Sequence, residues 1–386
     1  MSFGIDRVAR PKKKRKTDGK EVAERVGWLA RRVLRGAVKN AAWKNDKFTV
    51  SLSLHASAPM AKLVVKPDGE IGFRARTAEI GPGYHKDALA RLTPMLDELD
   101  YEWVDDGIDD VQDEMTRWLA EELEAGPVRL GLPADRTFKI DAPVLTPLGP
   151  RDAAWREAVI ADPTRGADAF PWWQTGPGHA ERARALITMW LEIPWRDPVD
   201  DDERAMMERV HDDLLAARRA NPDIDLPWAD WAKLLEMLGE EELAAKRRVR
   251  AGDAKPSIGY RRYDMDVELS GGWSFCLPGA FVTAWDEDRE RFWGSDGDRI
   301  VEFTSFTAQG EDDSDRLLSV APERHPVVDR LSDEHRRGRV EMYDDFDGIR
   351  IAHTLMAVAP HVAILTIKGG DDAWALKTWR SLRNVG

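Results

Sequence analysis

Two loops that contain glycine and proline place a histidine at the start of a predicted helix. Residues 81–85 read Gly-Pro-Gly-Tyr-His, and residues 176–179 read Gly-Pro-Gly-His. Helix N-termini bind anions and lower the pKa of a nearby imidazole, so His85 and His179 would form a phosphate or carboxylate site and act as acid and base. The loops lack the Walker spacing and its Lys-Ser/Thr, and each proline removes an amide. The alternative is that both loops are turns that cap helices.

Tryptophan is the unusual component of the sequence, with 16 residues against 11 Phe and 5 Tyr. Burying one indole is worth on the order of 3 kcal/mol, so most are expected in cores and domain contacts. Trp172 and Trp173 differ, because they lie in a loop rich in breakers rather than on a periodic face. Two loop indoles would form a platform for a partner, as aromatic side chains do at hot spots. The alternative is a staple between the first and second domains.

A carboxylate cluster lies near the C-terminus, at Asp344, Asp345 and Asp347. Its spacing is similar to that of a calcium loop, but the full alternation and the terminal Glu of an EF-hand are missing. We predict a binding surface for a basic partner or, alternatively, a solvated turn. The histidines show no zinc-ligand spacing, and Cys276 is expected to be a small buried side chain. The sequence therefore predicts no metal site, no cofactor and no catalytic centre other than the histidine alternative.

Charge is unevenly distributed along the chain. The formal charge is −13, whereas residues 1–20 hold eight Lys and Arg against Asp6 and Asp18. An acidic body repels phosphate backbones and attracts cations, which argues against nucleic-acid binding except through Lys12–Lys16 and favours a basic protein partner. The run Pro11–Lys16 resembles a nuclear-import signal, and the alternative is a solvated tail. We predict a disordered basic tail over residues 1–20.

Apolar periodicity indicates which elements carry these residues. Residues 21–125 alternate between strand and helix patterns and predict an antiparallel sheet with helices. Residues 126–150 hold many Gly and Pro and predict a linker. Residues 151–250 show helical spacing in nearly every periodic segment, and the last clear helix has Asp225 as its expected cap and Pro227 in its first turn.

The C-terminal part, residues 258–386, predicts a second antiparallel sheet. Alternating residues 263–269 and 273–277, joined by Ser-Gly-Gly, predict a hairpin, and a helical excursion at 313–336 and a terminal helix follow further along the chain. This order, with the Leu-Pro-Gly turn at 277–279, resembles the PsbP-like domains of bacterial immunity and secretion-accessory proteins. The resemblance implies a binding role and carries over no catalytic residues. The whole chain is predicted to be a multidomain α+β protein.

These features lead to three hypotheses on function. The first is a non-enzymatic protein-binding module, an immunity or accessory protein that masks a basic toxin or effector. The second is an enzyme with an anion-binding pocket between the first two domains that uses His85 and His179. The third is a structural assembly subunit. A single Cys excludes an intrachain disulfide, and the sequence shows no apolar stretch of membrane-spanning length, so we expect a cytoplasmic, non-membrane protein.

Overall fold

The chain folds into two compact units. The computed structural model describes residues 3–13, 18–55, 58–104, 110–132, 136–287, 290–310 and 313–384. The first unit comprises Met1–Leu132, Asp141–Ile193 and Asp202–Gly259, and the second comprises Pro133–Ile140, Pro194–Asp201 and Tyr260–Gly386. Helices and antiparallel sheets in both confirm the predicted α+β class. No described helix combines the length and the apolar composition that crossing a membrane requires.

The regular elements have the following bounds. The strands are β1 (Gly4–Pro11), β2 (Val38–Lys44), β3 (Lys47–Leu52), β4 (Ala61–Val65), β5 (Ile71–Arg76), β6 (Tyr101–Trp103), β7 (Val128–Arg129), β8 (Arg136–Phe138), β9 (Val144–Thr146), β10 (Gly149–Arg151), β11 (Asp264–Leu269), β12 (Trp273–Pro278), β13 (Val282–Asp286), β14 (Arg291–Ser295), β15 (Ile300–Thr307), β16 (Val327–Ser332), β17 (Arg337–Asp344), β18 (Arg350–Val358), β19 (His361–Lys368) and β20 (Arg383–Asn384).

The α-helices are α1 (Gly19–Val33), α2 (Pro82–Leu99), α3 (Val111–Ala125), α4 (Ala153–Ala161), α5 (His179–Leu191), α6 (Asp201–Ala220), α7 (Trp228–Met237), α8 (Glu241–Ala251), α9 (Ser314–Ser319) and α10 (Asp372–Arg380). Short 3-10 helices cover Pro163–Ala169, Tyr260–Arg262 and Ser270–Gly272.

A six-stranded antiparallel sheet with the order β2-β3-β4-β5-β1-β6 forms the N-terminal part of the first unit. The helices α1 and α2 contribute to the same apolar core. On α1, Val22, Val26 and Leu29 are buried, while Trp28 is exposed. This spacing of three to four residues puts one apolar face of the helix in the core.

The expectation of a disordered tail over residues 1–20 is wrong for Gly4–Pro11. This segment is β1, which pairs with β5 on one side and β6 on the other. Ile5 and Ala9 are buried in the core, and sheet hydrogen bonds on both edges hold the backbone. The density of basic residues in this part of the sequence hid an internal strand of the sheet. Residues 14–16, half of the predicted import signal Pro11–Lys16, lie outside the described residues.

The structure also differs from the expected linker and from the separate helical domain. Within residues 126–150, β7, β9 and β10 form a three-stranded sheet whose apolar residues join a core that includes α3. Leu119 of α3, Val159 of α4 and Phe170 belong to that same core. The helices α4 to α8 lie in the same unit as the N-terminal sheet, and α5 contributes Ala183 and Ile187 to the core of that sheet.

Two antiparallel sheets form the second unit. One has the order β20-β12-β11-β8, and the other has the order β13-β14-β15-β19-β18-β17-β16. Phe275 of the first sheet contacts Phe292 and Phe303 of the second, and all three are buried. The predicted hairpin is β11 and β12, and the strand β16 replaces part of the helical excursion expected at 313–336.

Candidate functional site

A cleft of about 670 Å³ lies in the first unit. Its walls come from β10, the segment 167–173, α5, the start of α7 and the chain around the end of α8. Four cationic side chains line it, Arg151, Arg182, Arg250 and Lys255. The volume falls in the range of small-molecule sites, about 300–1,000 Å³. The cleft is therefore large enough for a ligand with several polar groups.

Arg182 is held in the cleft wall by backbone carbonyls. Its Nε donates to the carbonyl oxygen of Asp225 at 2.5 Å, and its Nη1 donates to that of Pro171 at 3.0 Å. The remaining Nη2 lies 3.9 Å from the carboxylate of Asp225, which is itself 92% exposed. Burial lowers the pKa of the Arg182 guanidinium, and Asp225 acts in the opposite direction. Neutral acceptors thus orient Arg182 while leaving its charge only weakly compensated.

The helix α7 brings an indole to the cleft at its first turn. Trp228 is its first residue, and Pro227 occupies the cap position without a side-chain hydrogen bond. The structure confirms the helix that was predicted here, but the prediction that Asp225 caps it was wrong. The side chain of Asp225 is exposed, and its carbonyl oxygen accepts from Arg182 instead.

Asp230 fixes the chain that follows α8. Its side chain is 4% exposed, and Oδ1 accepts the amide protons of Ser257 and Ile258, both at 2.9 Å. Two amide donors satisfy much of the hydrogen-bonding capacity of a buried carboxylate. The carboxylate therefore anchors the segment that carries Lys255 along one wall of the cleft.

A cluster of arginines surrounds the two indoles of α7. The rings of Trp228 and Trp231 stack with centroids 5.5 Å apart. The guanidinium carbons of Arg218 and Arg250 lie 5.5 and 5.1 Å from the Trp228 centroid, and that of Arg247 lies 4.1 Å from the Trp231 centroid. Burial, then Arg218 and Arg250, lower the pKa of Arg247. In the part of the chain that the structure describes, no carboxylate pairs with these three arginines.

Another part of the lining combines a paired arginine with an aromatic stack. Nη2 of Arg151 donates to the carbonyl oxygen of Asp168 at 3.0 Å and lies 3.4 Å from its carboxylate. Trp173 stacks on Phe170 with ring centroids 6.1 Å apart, and both line the cleft. Two indoles, those of Trp173 and Trp228, thus line the cleft.

The predicted tryptophan pair is divided between two environments. Trp173 is half-buried and lines the cleft. Trp172 is 3% exposed and packs in the core beside Tyr84 and His55. Its carbonyl oxygen accepts the amide proton of Gly83 at 2.9 Å. Trp172 thus packs against the first Gly-Pro-Gly loop, while Trp173 faces the cleft.

The two predicted histidines lie in different surroundings. His85 is 3% exposed, its Nδ1 is 3.3 Å from Oγ1 of Thr77, and burial lowers its pKa to about 4. His179 is the first residue of α5, after Gly178 at φ +81°, and burial lowers its pKa as well. Among the described residues no hydrogen bond or ring contact joins the imidazoles, and neither lines the cleft. The two helices begin after Gly81 and Gly178 without a side-chain cap hydrogen bond, and the turn-and-cap alternative stays a prediction.

The carboxylate cluster forms a turn between β17 and β18. Oδ1 of Asp345 accepts the amides of Asp347 and Ile349 at 3.0 and 2.8 Å, and Asp344 pairs with Arg350 at 3.3 Å. The described residues contain no group of three His, Cys, Asp or Glu placed to hold a metal ion. Asp345 is therefore engaged in the geometry of the turn, and a partner for this surface stays a prediction.

Sequence reasoning missed the arginines because Trp228 and Trp231, three residues apart, fit the spacing of an apolar helix face. The available signal was the spacing of Arg247 and Arg250, since residues three apart on a helix share a face. Comparison with protein-family models and with curated proteins finds no match for the chain.

Proposed function

We propose that the cleft of the first unit binds a small organic anion that carries a planar ring, of which a nucleoside monophosphate is the simplest representative. The observation that carries this proposal is the convergence of four cations and two indoles on one cleft. Guanidinium groups match the oxygens of phosphate and carboxylate, and indole faces stack on planar rings. The two kinds of group together select a ligand with both features.

The charge balance within the cleft supports an anion over a cation. The carboxylates in its lining are Asp168, Asp225 and Asp230. Asp168 is next to Arg151, Asp225 extends into solvent, and Asp230 accepts two backbone amides. Arg250 and Lys255 have no carboxylate partner among the described residues. An anionic ligand would supply the missing counter-charge.

Isothermal titration of the full chain with AMP, adenosine and inorganic phosphate tests the proposal. We expect AMP to bind more tightly than either part, because it engages the cations and an indole together. In the Arg250→Gln variant the affinity for AMP falls by about ten-fold or more, since a hydrogen bond to a charged group is worth about 1.5–3 kcal/mol.

The matched control is Arg248→Gln on the same helix. Arg248 pairs with Glu236 at 2.7 Å and with Glu241 at 3.5 Å, and it does not line the cleft. AMP affinity should stay within about two-fold of the parent in this variant. Equal affinities for AMP and adenosine, no binding of AMP, or equal effects of the two substitutions would contradict the proposal.

The other hypotheses from the sequence stay predictions. A basic protein partner, as expected of an immunity or accessory protein, is one of them. The PsbP-like resemblance, the assembly-subunit alternative and a cytoplasmic location remain expectations. The enzyme hypothesis based on His85 and His179 is not part of our proposal, because the described contacts do not bring these residues together.

A further inference from the structure

Three arginines that have no carboxylate partner among the described residues lie beside the cleft of the first unit. Arg218 belongs to α6, and Arg247 and Arg250 belong to α8. The guanidinium carbons of Arg218 and Arg250 lie 5.5 and 5.1 Å from the centroid of the Trp228 ring, so both contact one indole. Trp228 and Arg250 also line the cleft. This arginine cluster of Arg218, Arg247 and Arg250 is therefore continuous with the cleft.

Arg247 is the most buried member of the arginine cluster. It is 8% exposed, and its shielded Nε has no hydrogen-bond acceptor in the described part of the chain. Burial and then the positive charges of Arg218 and Arg250 lower its pKa. Removing a cation from water without a counter-charge costs free energy. An anion bound at the cluster would offset this cost.

The glutamates of α7 and α8 already pair with other cations. Glu236 and Glu241 both pair with Arg248, at 2.7 and 3.5 Å. Glu242 pairs with Lys246 at 2.6 Å. These pairs use the negative charge that the two helices supply and leave the charge of the arginine cluster to a ligand.

Two indoles hold the arginine cluster in place. Nε1 of Trp231 donates to Nδ1 of His211 at 2.9 Å, which fixes the ring, and the Trp228 ring stacks on it with an interplanar angle of 22°. The guanidinium carbon of Arg247 lies 4.1 Å from the Trp231 centroid. An indole face attracts a guanidinium group and leaves its N–H groups available to oxygens. The cluster is thus oriented before an anion binds.

We infer that the ligand of the cleft carries a second phosphate, which the arginine cluster binds, so that the ligand class is a nucleoside diphosphate. This inference rests on the proposed function, since the ring and the first phosphate occupy the cleft. The oxygens of a terminal phosphate match the several N–H donors of neighbouring guanidinium groups. A nucleic acid fits less well, because the net charge of −13 repels a long phosphate backbone.

Isothermal titration of the full chain with AMP, ADP and inorganic pyrophosphate, in buffer without divalent metal, tests the second phosphate. We expect ADP to bind at least ten-fold more tightly than AMP or pyrophosphate, because it engages the ring, the first phosphate and the cluster together. If AMP binds and ADP binds no more tightly, the inference fails while the proposed function stands. If neither binds, both fail. Equal affinities for ADP and pyrophosphate would overturn the inference in favour of a site for free phosphates.

Two neighbouring arginines of α6 provide a matched pair of variants. Arg218 lies over Trp228, whereas Arg219 is exposed and has no described contact with either indole. Arg218→Gln should weaken ADP binding at least ten-fold and AMP binding less than two-fold. Arg219→Gln should change both affinities less than two-fold. Equal losses of ADP affinity in the two variants, or equal losses of AMP and ADP affinity in Arg218→Gln, would overturn the inference.

Replacing Arg247 by Met separates a binding role from a structural one. Met removes the charge and keeps a contact with the Trp231 ring. Because the charge is buried and unpaired in the free protein, the melting temperature of free Arg247→Met should equal or exceed that of the parent. ADP should raise the melting temperature of the parent more than that of the variant. A lower melting temperature of the free variant, or an equal rise with ADP, would overturn the inference.

Discussion

Removing the carboxylate of Asp230 is expected to release one wall of the cleft. The side chain is buried at 4% exposure, and one oxygen accepts both the Ser257 and the Ile258 amide at 2.9 Å. Ile258 is itself buried. In Asp230→Ala these amides lose their acceptor, and the Ile258 amide is left in an apolar environment.

The size of the effect follows from these two bonds. Hydrogen bonds to a charged group contribute about 1.5–3 kcal/mol each, so Asp230→Ala should lower the free energy of unfolding of the first unit by about 3–5 kcal/mol. Asp230→Asn keeps a carbonyl oxygen but loses the charge, and we expect a cost of about 1–2 kcal/mol. Asp230→Ala should therefore have a lower free energy of unfolding than Asp230→Asn.

Urea unfolding and hydrogen exchange read out the two parts of this prediction. Urea unfolding gives the loss of stability, and exchange read by mass spectrometry should show faster exchange in residues 254–258. Asp253→Ala is the control, because Asp253 is exposed in the same segment and no described group pairs with it. Unchanged exchange in 254–258, or an equal loss of stability in Asp253→Ala, would refute the anchoring role of Asp230.

Two further predictions concern the core of the first unit. Burial lowers the pKa of His55 and His85 to about 4, so the unfolded chain binds more protons than the folded one between about pH 6.5 and 4. The free energy of unfolding should fall across this window by up to about 3 kcal/mol per imidazole, and a urea series over pH should show a shallower slope in His85→Gln. Gly83→Ala should lower the melting temperature much more than Gly126→Ala. A Cβ added at Gly83 would lie 2.1 Å from Cδ1 of Trp172, whereas a Cβ added at Gly126 would have no atom within 4 Å. Equal shifts in the two alanine variants would contradict the close packing at Gly83.

Periodicity predicted the elements but not the contacts between them. The alternation in β11 and β12 and the helical spacing of α7 are local patterns, and the structure confirms both. β1 was missed because it has only two buried residues, Ile5 and Ala9, and lies in a basic stretch, so only pairing on both edges reveals it. Contacts between distant segments decide such cases.

The candidate site was harder to predict for the same reason. Trp172 and Trp173 are neighbours in sequence and share a loop that is rich in Gly and Pro. Trp172 is nevertheless buried in the core, whereas Trp173 lines the cleft. Arg182 of α5 and Arg250 of α8 line the same cleft only because the fold places both helices beside it. Spacing in the sequence does not indicate this proximity, because the two residues are far apart along the chain.

Hydrogen exchange of the full chain with and without AMP tests the anion cleft most directly, because it reports where the ligand binds. The account predicts that AMP slows exchange in residues 225–231 and 250–258, which border the cleft, and that adenosine at the same concentration does not. Protection confined to residues 264–384, or no protection at a concentration of AMP that titration shows to be saturating, would contradict it.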